Sequence, residues 1–261
     1  MARKLILFDI DGTLIRTGGA GVRAMTRAFE ETCGISDALK MVEVAGRTDR
    51  LIMTDALAVL GKPLDDDLLQ RFRALYCGFL QEELEQLHRE GSDRSDGSER
   101  STSASNGHAT GLVKEGTAVK GALPGVRPLL DHLGQREDID VALLTGNFRS
   151  SAEIKLAHYD LWRYFPWGAF ADDALERPDL LPIALTRYHA HTTRTIDPAD
   201  VILVGDTPHD ITCARCGGAK VVAVATGTFD SAALAGCEPD VVFEDLSDIE
   251  AFMSLIDDRW S

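Results

Sequence analysis

Four carboxylates carry the first chemical signal in this chain: Asp9 and Asp11 in Asp9-Ile10-Asp11-Gly12-Thr13, and Asp206 and Asp210 in Gly205-Asp206-Thr207-Pro208-His209-Asp210. Each pair follows a short apolar run, Leu5 to Phe8 or Val201 to Val204, and a third polar group, Thr145-Gly146-Asn147, follows Val141 to Leu144. Such runs suit strands buried on both faces, and open parallel α/β sheets bind ligands beyond the carboxyl ends of their strands. The three clusters are therefore expected to share one crevice. Asp9 and Asp11, two residues apart, can project to the same side, and Gly12 permits a sharp exit that brings backbone N–H groups near a bound anion. Four carboxylates in one small volume repel one another and raise some of their pKa values unless a cation is present. A hard divalent ion resolves that repulsion, and magnesium suits a site of one or two carboxylates, a carbonyl, waters and a phosphate oxygen. Any one of these aspartates reads alone as a loop or cap residue, Asp210 above all, but that reading does not explain the four together.

These motifs resemble the haloacid dehalogenase superfamily of phosphatases. Phe8-Asp9-Ile10-Asp11-Gly12-Thr13-Leu14 matches its nucleophile motif, Leu144-Thr145-Gly146-Asn147 its phosphate-binding motif, and Gly205 to Asp210 its acidic metal motif, in the family's order. The resemblance spans essentially the whole chain and is to the phosphoglycolate phosphatase-like branch, with a helical cap inserted between the first two motifs. It implies Asp9 as nucleophile and magnesium ligand, and Asp11 as general acid and then base. Magnesium would also take the Asp11 backbone carbonyl and Asp206, with Asp210 touching the ion or standing just behind it. Gly12, Thr13, Thr145, Gly146 and Asn147 would surround the phosphoryl oxygens. Such a division suits the chemistry, because a carboxylate is a ready nucleophile at neutral pH and a second acid can protonate the departing alkoxide.

The family's third motif is where the chain departs from the pattern. A lysine, less often an arginine, is expected shortly before the metal motif; the chain has Arg177-Pro178-Asp179-Leu180 and no lysine between Lys155 and Lys220. Arg177 is assigned the role, since a guanidinium can neutralise phosphate and Asp9 while donating several hydrogen bonds, and Lys155 is the fallback. Arg47 and Asp49 fall in the cap where related proteins contact substrate; a helix-capping role for Thr48 or Asp49 is the competing reading. Cys213 and Cys216 have redox-motif spacing but no second pair, which favours packing, and His189 and His191 lack a matching zinc-ligand set.

To position these residues the chain needs a parallel sheet. Apolar runs at 5–8, 141–144, 201–204, 221–224 and 241–243, alternating with helical patterns, indicate an α/β fold with a Rossmann-like parallel sheet core. The gap from Gly18 to Leu123 is too long for one crossover helix. Its apolar residues recur at three- and four-residue steps from Leu68 to Leu87, with weaker helical stretches at 22–33 and 48–60. The expected division is a core of residues 1–17 and 122–261 and a smaller α-helical cap domain of residues 18–121. Within the cap, 91–111 holds six serines between Ser92 and Ser105 and almost no apolar side chain, so it reads as a disordered loop.

Composition limits the partners. With 42 acidic against 27 basic residues and a net charge of -15, most of the surface repels polyanions, so no nucleic-acid partner is expected. No apolar stretch near the start is long enough for a membrane span or a signal-peptide core, and five scattered cysteines do not form a disulfide framework. The expectation is a soluble, cytoplasmic enzyme acting on a small phosphorylated metabolite, with phosphoglycolate, sugar phosphates and nucleoside monophosphates the classes that the resemblance implies. Asp11 argues against a dehalogenase, because halide leaves without a proton. A β-phosphoglucomutase-type phosphomutase and a non-catalytic phosphate-binding protein are the alternatives.

Overall fold

The computed structural model describes residues 3–94 and 120–260. The chain opens with β1 (Lys4–Phe8), then β2 (Ile15–Arg16) and three helices, α1 (Ala20–Cys33), α2 (Asp49–Val59) and α3 (Asp66–Arg94). After residue 119 come β3 (Gly121–Ala122), α4 (Val126–Leu133), β4 (Ile139–Leu144), α5 (Arg149–His158), β5 (Gly168–Ala169) and α6 (Leu180–Thr192). The chain continues with β6 (Val201–Gly205), α7 (Pro208–Cys216), β7 (Lys220–Val224), α8 (Ser231–Ala235), β8 (Val241–Phe243) and α9 (Ile249–Ser254).

Six strands form one parallel sheet in the order β5-β4-β1-β6-β7-β8. The five expected strands are all present. β1 lies between β4 and β6, which places the chain ends after Phe8, Leu144 and Gly205 side by side. Every residue of β1 and β6 is buried, in keeping with the apolar runs at 5–8 and 201–204 within them. Because successive side chains alternate, Ile6 and Phe8 enter one apolar layer with Leu129, Leu156 and Phe252, while Leu5 and Leu7 enter the other with Leu180, Tyr188 and Ile211.

α1, α2 and α3 build a third apolar cluster over the carboxyl edge of the sheet. Phe72, Tyr76, Leu80 and Leu84, each four residues on, line the buried stripe of α3, and the Phe29 and Phe72 rings lie 4.7 Å apart. Phe148 and Ala171, from loops at the strand ends, complete this cluster. The short antiparallel pair of β2 with β3 brings Ile15 opposite Ala122 and Arg16 opposite Gly121, so entry to and exit from the helical segment lie together.

The loop expected from Gly91 does not begin there, since α3 continues to Arg94. Interior glycine costs a helix only about 1 kcal/mol relative to alanine, too little to end a long helix whose apolar stripe is already packed. The rest of the serine-rich segment, 95–111, lies outside the described residues.

Candidate active site

β1 and β6 deliver two of the acidic groups directly. The Asp9 N–H donates to the Val204 carbonyl at 3.0 Å, which extends the strand pairing one residue into the cleft and fixes where the Asp9 side chain starts. At Gly12 the chain turns with φ +80°, and a β-carbon there would stand 2.3 Å from Asp206 Oδ2. Both the backbone angle and the space therefore require glycine. Gly227, on the loop after β7, is closer still: its β-carbon would fall 1.6 Å from the same oxygen. The Thr13 hydroxyl donates to Asp206 Oδ1 at 3.1 Å, and the Thr226 hydroxyl to the Gly12 carbonyl at 2.6 Å. With the Gly12 N–H donating to the Ile15 carbonyl, this turn is used to brace Asp206.

Asp9, Asp206 and Asp210 are buried, and each offers a carboxylate oxygen within 4.8 Å of the others'. Burial pushes the Asp9 carboxyl up to about 6, against the lowering influence of Arg177, and burial with the neighbouring carboxylates holds Asp206 well above the ordinary range. Arg177 is the cation that meets them, 3 % exposed itself. Its Nη2 pairs with Asp210 and stands 2.9 Å from Asp9 Oδ1, an ion-pair contact outside hydrogen-bond geometry. Asp210 is engaged on both oxygens, by Arg177 and by the Thr207 N–H and hydroxyl at 3.0 and 2.7 Å. It thus closes a capping box at the start of α7 and orients Arg177 as well.

Three buried carboxylates against one guanidinium leave an excess of negative charge in a low-dielectric cleft. A buried Asp9 oxygen without a hydrogen bond and an Asp206 held by a single hydroxyl are hard oxygen donors with capacity to spare. That donor set fits magnesium.

A second cluster gathers around Asp11. Lys155, from α5, is buried; its Nζ lies 2.6 Å from Asp11 Oδ2 and donates also to Asn147 Oδ1. Burial works to lower the Lys155 pKa, but Asp11, Tyr76 and Asp49 more than offset it and keep the ammonium charged. Asn147 Nδ2 donates to Asp11 Oδ2 at 2.9 Å and to Thr145 Oγ1 at 3.0 Å. The Thr145 oxygen also accepts from the Asn147 N–H at 3.3 Å, so its own proton is left to donate elsewhere. Arg177 and Lys155, alternatives for one role in the sequence, thus stand in different places, one on Asp9 and the other on Asp11.

The loop before α2 closes over these groups. Arg177 Nη1 donates to the Gly46 carbonyl at 2.9 Å, the Asp49 N–H to the Gly146 carbonyl at 2.6 Å, and the Thr48 hydroxyl to the Leu175 carbonyl at 2.6 Å. A β-carbon at Gly146 would meet the Arg47 carbonyl at 2.2 Å. Asp49 Oδ2 accepts from the Phe148 N–H at 2.9 Å and from the Ser151 hydroxyl at 3.3 Å, and burial pushes its pKa up to about 6. Thr48 caps α2 through the Leu51 N–H. Arg47 pairs instead with Asp55 at 2.8 Å, on α2 itself.

Away from the cleft, buried Cys213 donates to the Arg177 carbonyl while Cys216 is exposed, and His189 contacts the Arg194 carbonyl at a helix end. Thr226 and Gly227 belong to none of the three sequence motifs, although they too follow an apolar strand, β7.

Residues 3–218, which include all three strand-end clusters, match the family model described as "Hydrolase: haloacid dehalogenase-like hydrolase". The chain belongs to this family. Among curated relatives, "Probable phosphatase IndB" of Dickeya dadantii is 25% identical over 252 residues, covering 95% of this chain and 92% of the relative. "Phosphoglycolate phosphatase 1" of Pseudomonas aeruginosa is 26% identical over 253 residues, covering 94% of this chain and 78% of the relative. A solved hydrolase from Pseudomonas syringae superposes with a TM-score of 0.62 at 19% identity, covering 97% of this chain and 99% of that one, a likeness of fold. Among the described residues, no helix is long and apolar enough to cross a membrane.

Proposed function

We propose that this haloacid dehalogenase-like hydrolase is a magnesium-dependent phosphatase that cleaves a small phosphomonoester through an aspartyl-phosphate on Asp9. The observation that carries the reading is the pairing of two aspartates two residues apart with two different buried cations, Arg177 on Asp9 and Lys155 on Asp11. One carboxylate is thereby set up as a nucleophile within a charged cradle, the other as a proton carrier beside it. The curated relatives named as phosphatases support the same reaction class.

Asp9 and Asp206 would hold magnesium with the Asp11 carbonyl, while Asp210, engaged by Arg177 and Thr207, would stand behind them. Magnesium, when bound, supplies charge neutralisation for the phosphoryl group. Asp9 attacks phosphorus. Arg177 balances charge on Asp9 and the phosphoryl oxygens, and the Thr145 hydroxyl donates to one of those oxygens. Asp11 passes a proton to the departing oxygen, then takes one from the water that cleaves the aspartyl-phosphate. Residues 18–121 would act as the cap over a core of 1–17 and 122–261, a division supported by the β2–β3 pair at both junctions. Five unpaired cysteines fit a reducing, cytoplasmic setting.

The test is phosphate release from a panel of small phosphomonoesters, phosphoglycolate, sugar phosphates and nucleoside monophosphates among them, with and without magnesium. Release that needs magnesium and disappears in Asp9→Asn is expected. Equal release without the metal, or by the variant, would contradict the reading.

A further inference from the structure

Arg177 and Lys155 are both buried at the cleft, yet they do not share a partner. Lys155 lies on α5, ten residues beyond Thr145, outside every strand-end cluster that pointed to chemistry. Its ammonium closes a triangle. Lys155 donates to Asp11 Oδ2 at 2.6 Å and to Asn147 Oδ1, and Asn147 Nδ2 donates to the same Asp11 oxygen at 2.9 Å. With its oxygen claimed by Lys155, the Asn147 amide can present only N–H groups to Asp11 and Thr145. Both bonds to Asp11 fall on one oxygen, and the side chain is still 43 % exposed. A β-carbon at Gly21 would stand 3.4 Å from Lys155 Nζ and 3.6 Å from the Tyr76 hydroxyl, so α1 packs directly over the ammonium. A half-exposed carboxylate normally samples several rotamers; this one is pinned along one edge by a cation that is itself locked in place.

We propose that Lys155, acting with Asn147, is a positioning residue that holds Asp11 by Oδ2 and so presents its other oxygen to the leaving group and then to water. This rests on the phosphatase reading above. In the first half of that reaction the bond from Asp9 to phosphorus forms, the bond to the leaving oxygen breaks, and Asp11 gives that oxygen its proton. In the second, Asp11 takes a proton from water as the water oxygen bonds to phosphorus and the bond to Asp9 breaks, returning the Asp9 carboxylate and free phosphate. A misplaced Asp11 slows the second half for every substrate. It slows the first half only where the leaving oxygen needs a proton, which p-nitrophenolate does not.

The experiment compares wild type, Lys155→Gln and Lys155→Arg on an alkyl phosphomonoester and on p-nitrophenyl phosphate, with magnesium and by stopped flow. Lys155→Gln should release about one equivalent of nitrophenolate in a burst and then turn over about 10²-fold more slowly than wild type, with acid-stable phosphate on the protein, whereas the alkyl ester shows no burst. Lys155→Arg should recover part of the steady rate. Loss of rate on both substrates without a burst, as from a generally loosened site, would overturn the proposal. Should Lys155→Gln fail to fold by circular dichroism, Asn147→Ala carries the same readout, and absence of its burst would overturn the proposal equally. No magnesium-dependent release by wild type would instead bring down the phosphatase reading, and this proposal with it.

Discussion

Arg177 stands 2.9 Å from Asp9 through the same nitrogen that pairs with Asp210, and reaches the Gly46 carbonyl of the overlying helical segment with its other terminal nitrogen. One guanidinium therefore links the proposed nucleophile, the start of α7 and the loop before α2. A lysine has one nitrogen and could not span these partners in the same way. Arg177→Lys is expected to keep charge compensation at Asp9 but to lose the Gly46 contact, lowering kcat/KM about tenfold. Arg177→Ala leaves buried carboxylates unpaired and should cost about 3–5 kcal/mol of stability along with measurable turnover. Thermal melts and steady-state kinetics on both variants check this.

Gly227 and Gly12 leave the space into which Asp206 fits. Alanine at either position places a β-carbon against the Asp206 carboxylate and forces it aside. Gly227→Ala should therefore weaken magnesium binding at least tenfold, on the order of 1.4 kcal/mol, with little change in far-ultraviolet circular dichroism. Calorimetric titration with magnesium measures it.

Protons should compete with magnesium at the proposed site. In the metal-free protein Asp9 is pushed up to about 6, first by burial, and Asp206 is raised as well. Below pH 6 Asp9 holds a proton that magnesium must displace, so apparent magnesium affinity should rise as pH rises through about 6. An affinity that is flat from pH 5 to 7 would contradict the metal assignment.

Asp49 gives a separate, stability-linked signal. Its folded-state pKa, about 6, lies above the 3.8 of the free side chain, so between those values the folded protein binds more protons and stability falls as pH rises. The effect amounts to roughly 3 kcal/mol at 1.36 kcal/mol per unit, as an upper limit. Asp49→Asn retains an oxygen for the Phe148 N–H and should flatten this part of the curve. Denaturant unfolding of both proteins at pH 4 to 7 tests it.

The strands with three or more consecutive apolar residues were legible in the sequence because burial on both faces leaves an unbroken pattern, and three of the strand-end clusters came with them. β5, only Gly168–Ala169, carries no such pattern, and the β2–β3 pair depends on a contact between residues more than a hundred positions apart. That Asp9, Asp11 and Asp206 gather at neighbouring strand ends was readable from their place after apolar runs. What Lys155 does was not, because a lysine on a helix has no local mark of burial; only the packing of α1 and α3 over α5 places it on Asp11. Gly227 escaped notice for a related reason: its value lies in the absent β-carbon beside a residue twenty-one positions earlier. Asp49 read equally as a cap residue or a substrate contact, and its bonds to Phe148 and Ser151 tie the helical segment to the start of α5.

The proposed reaction passes through covalent phosphate on Asp9. Asp11→Asn protein mixed with p-nitrophenyl phosphate and magnesium, quenched in acid and digested, can be read by mass spectrometry of the peptide that contains Asp9. A phosphoryl group on Asp9 that hydroxylamine removes is the expected result. Nitrophenolate release with no covalent phosphate, or with phosphate on any other residue, would contradict it.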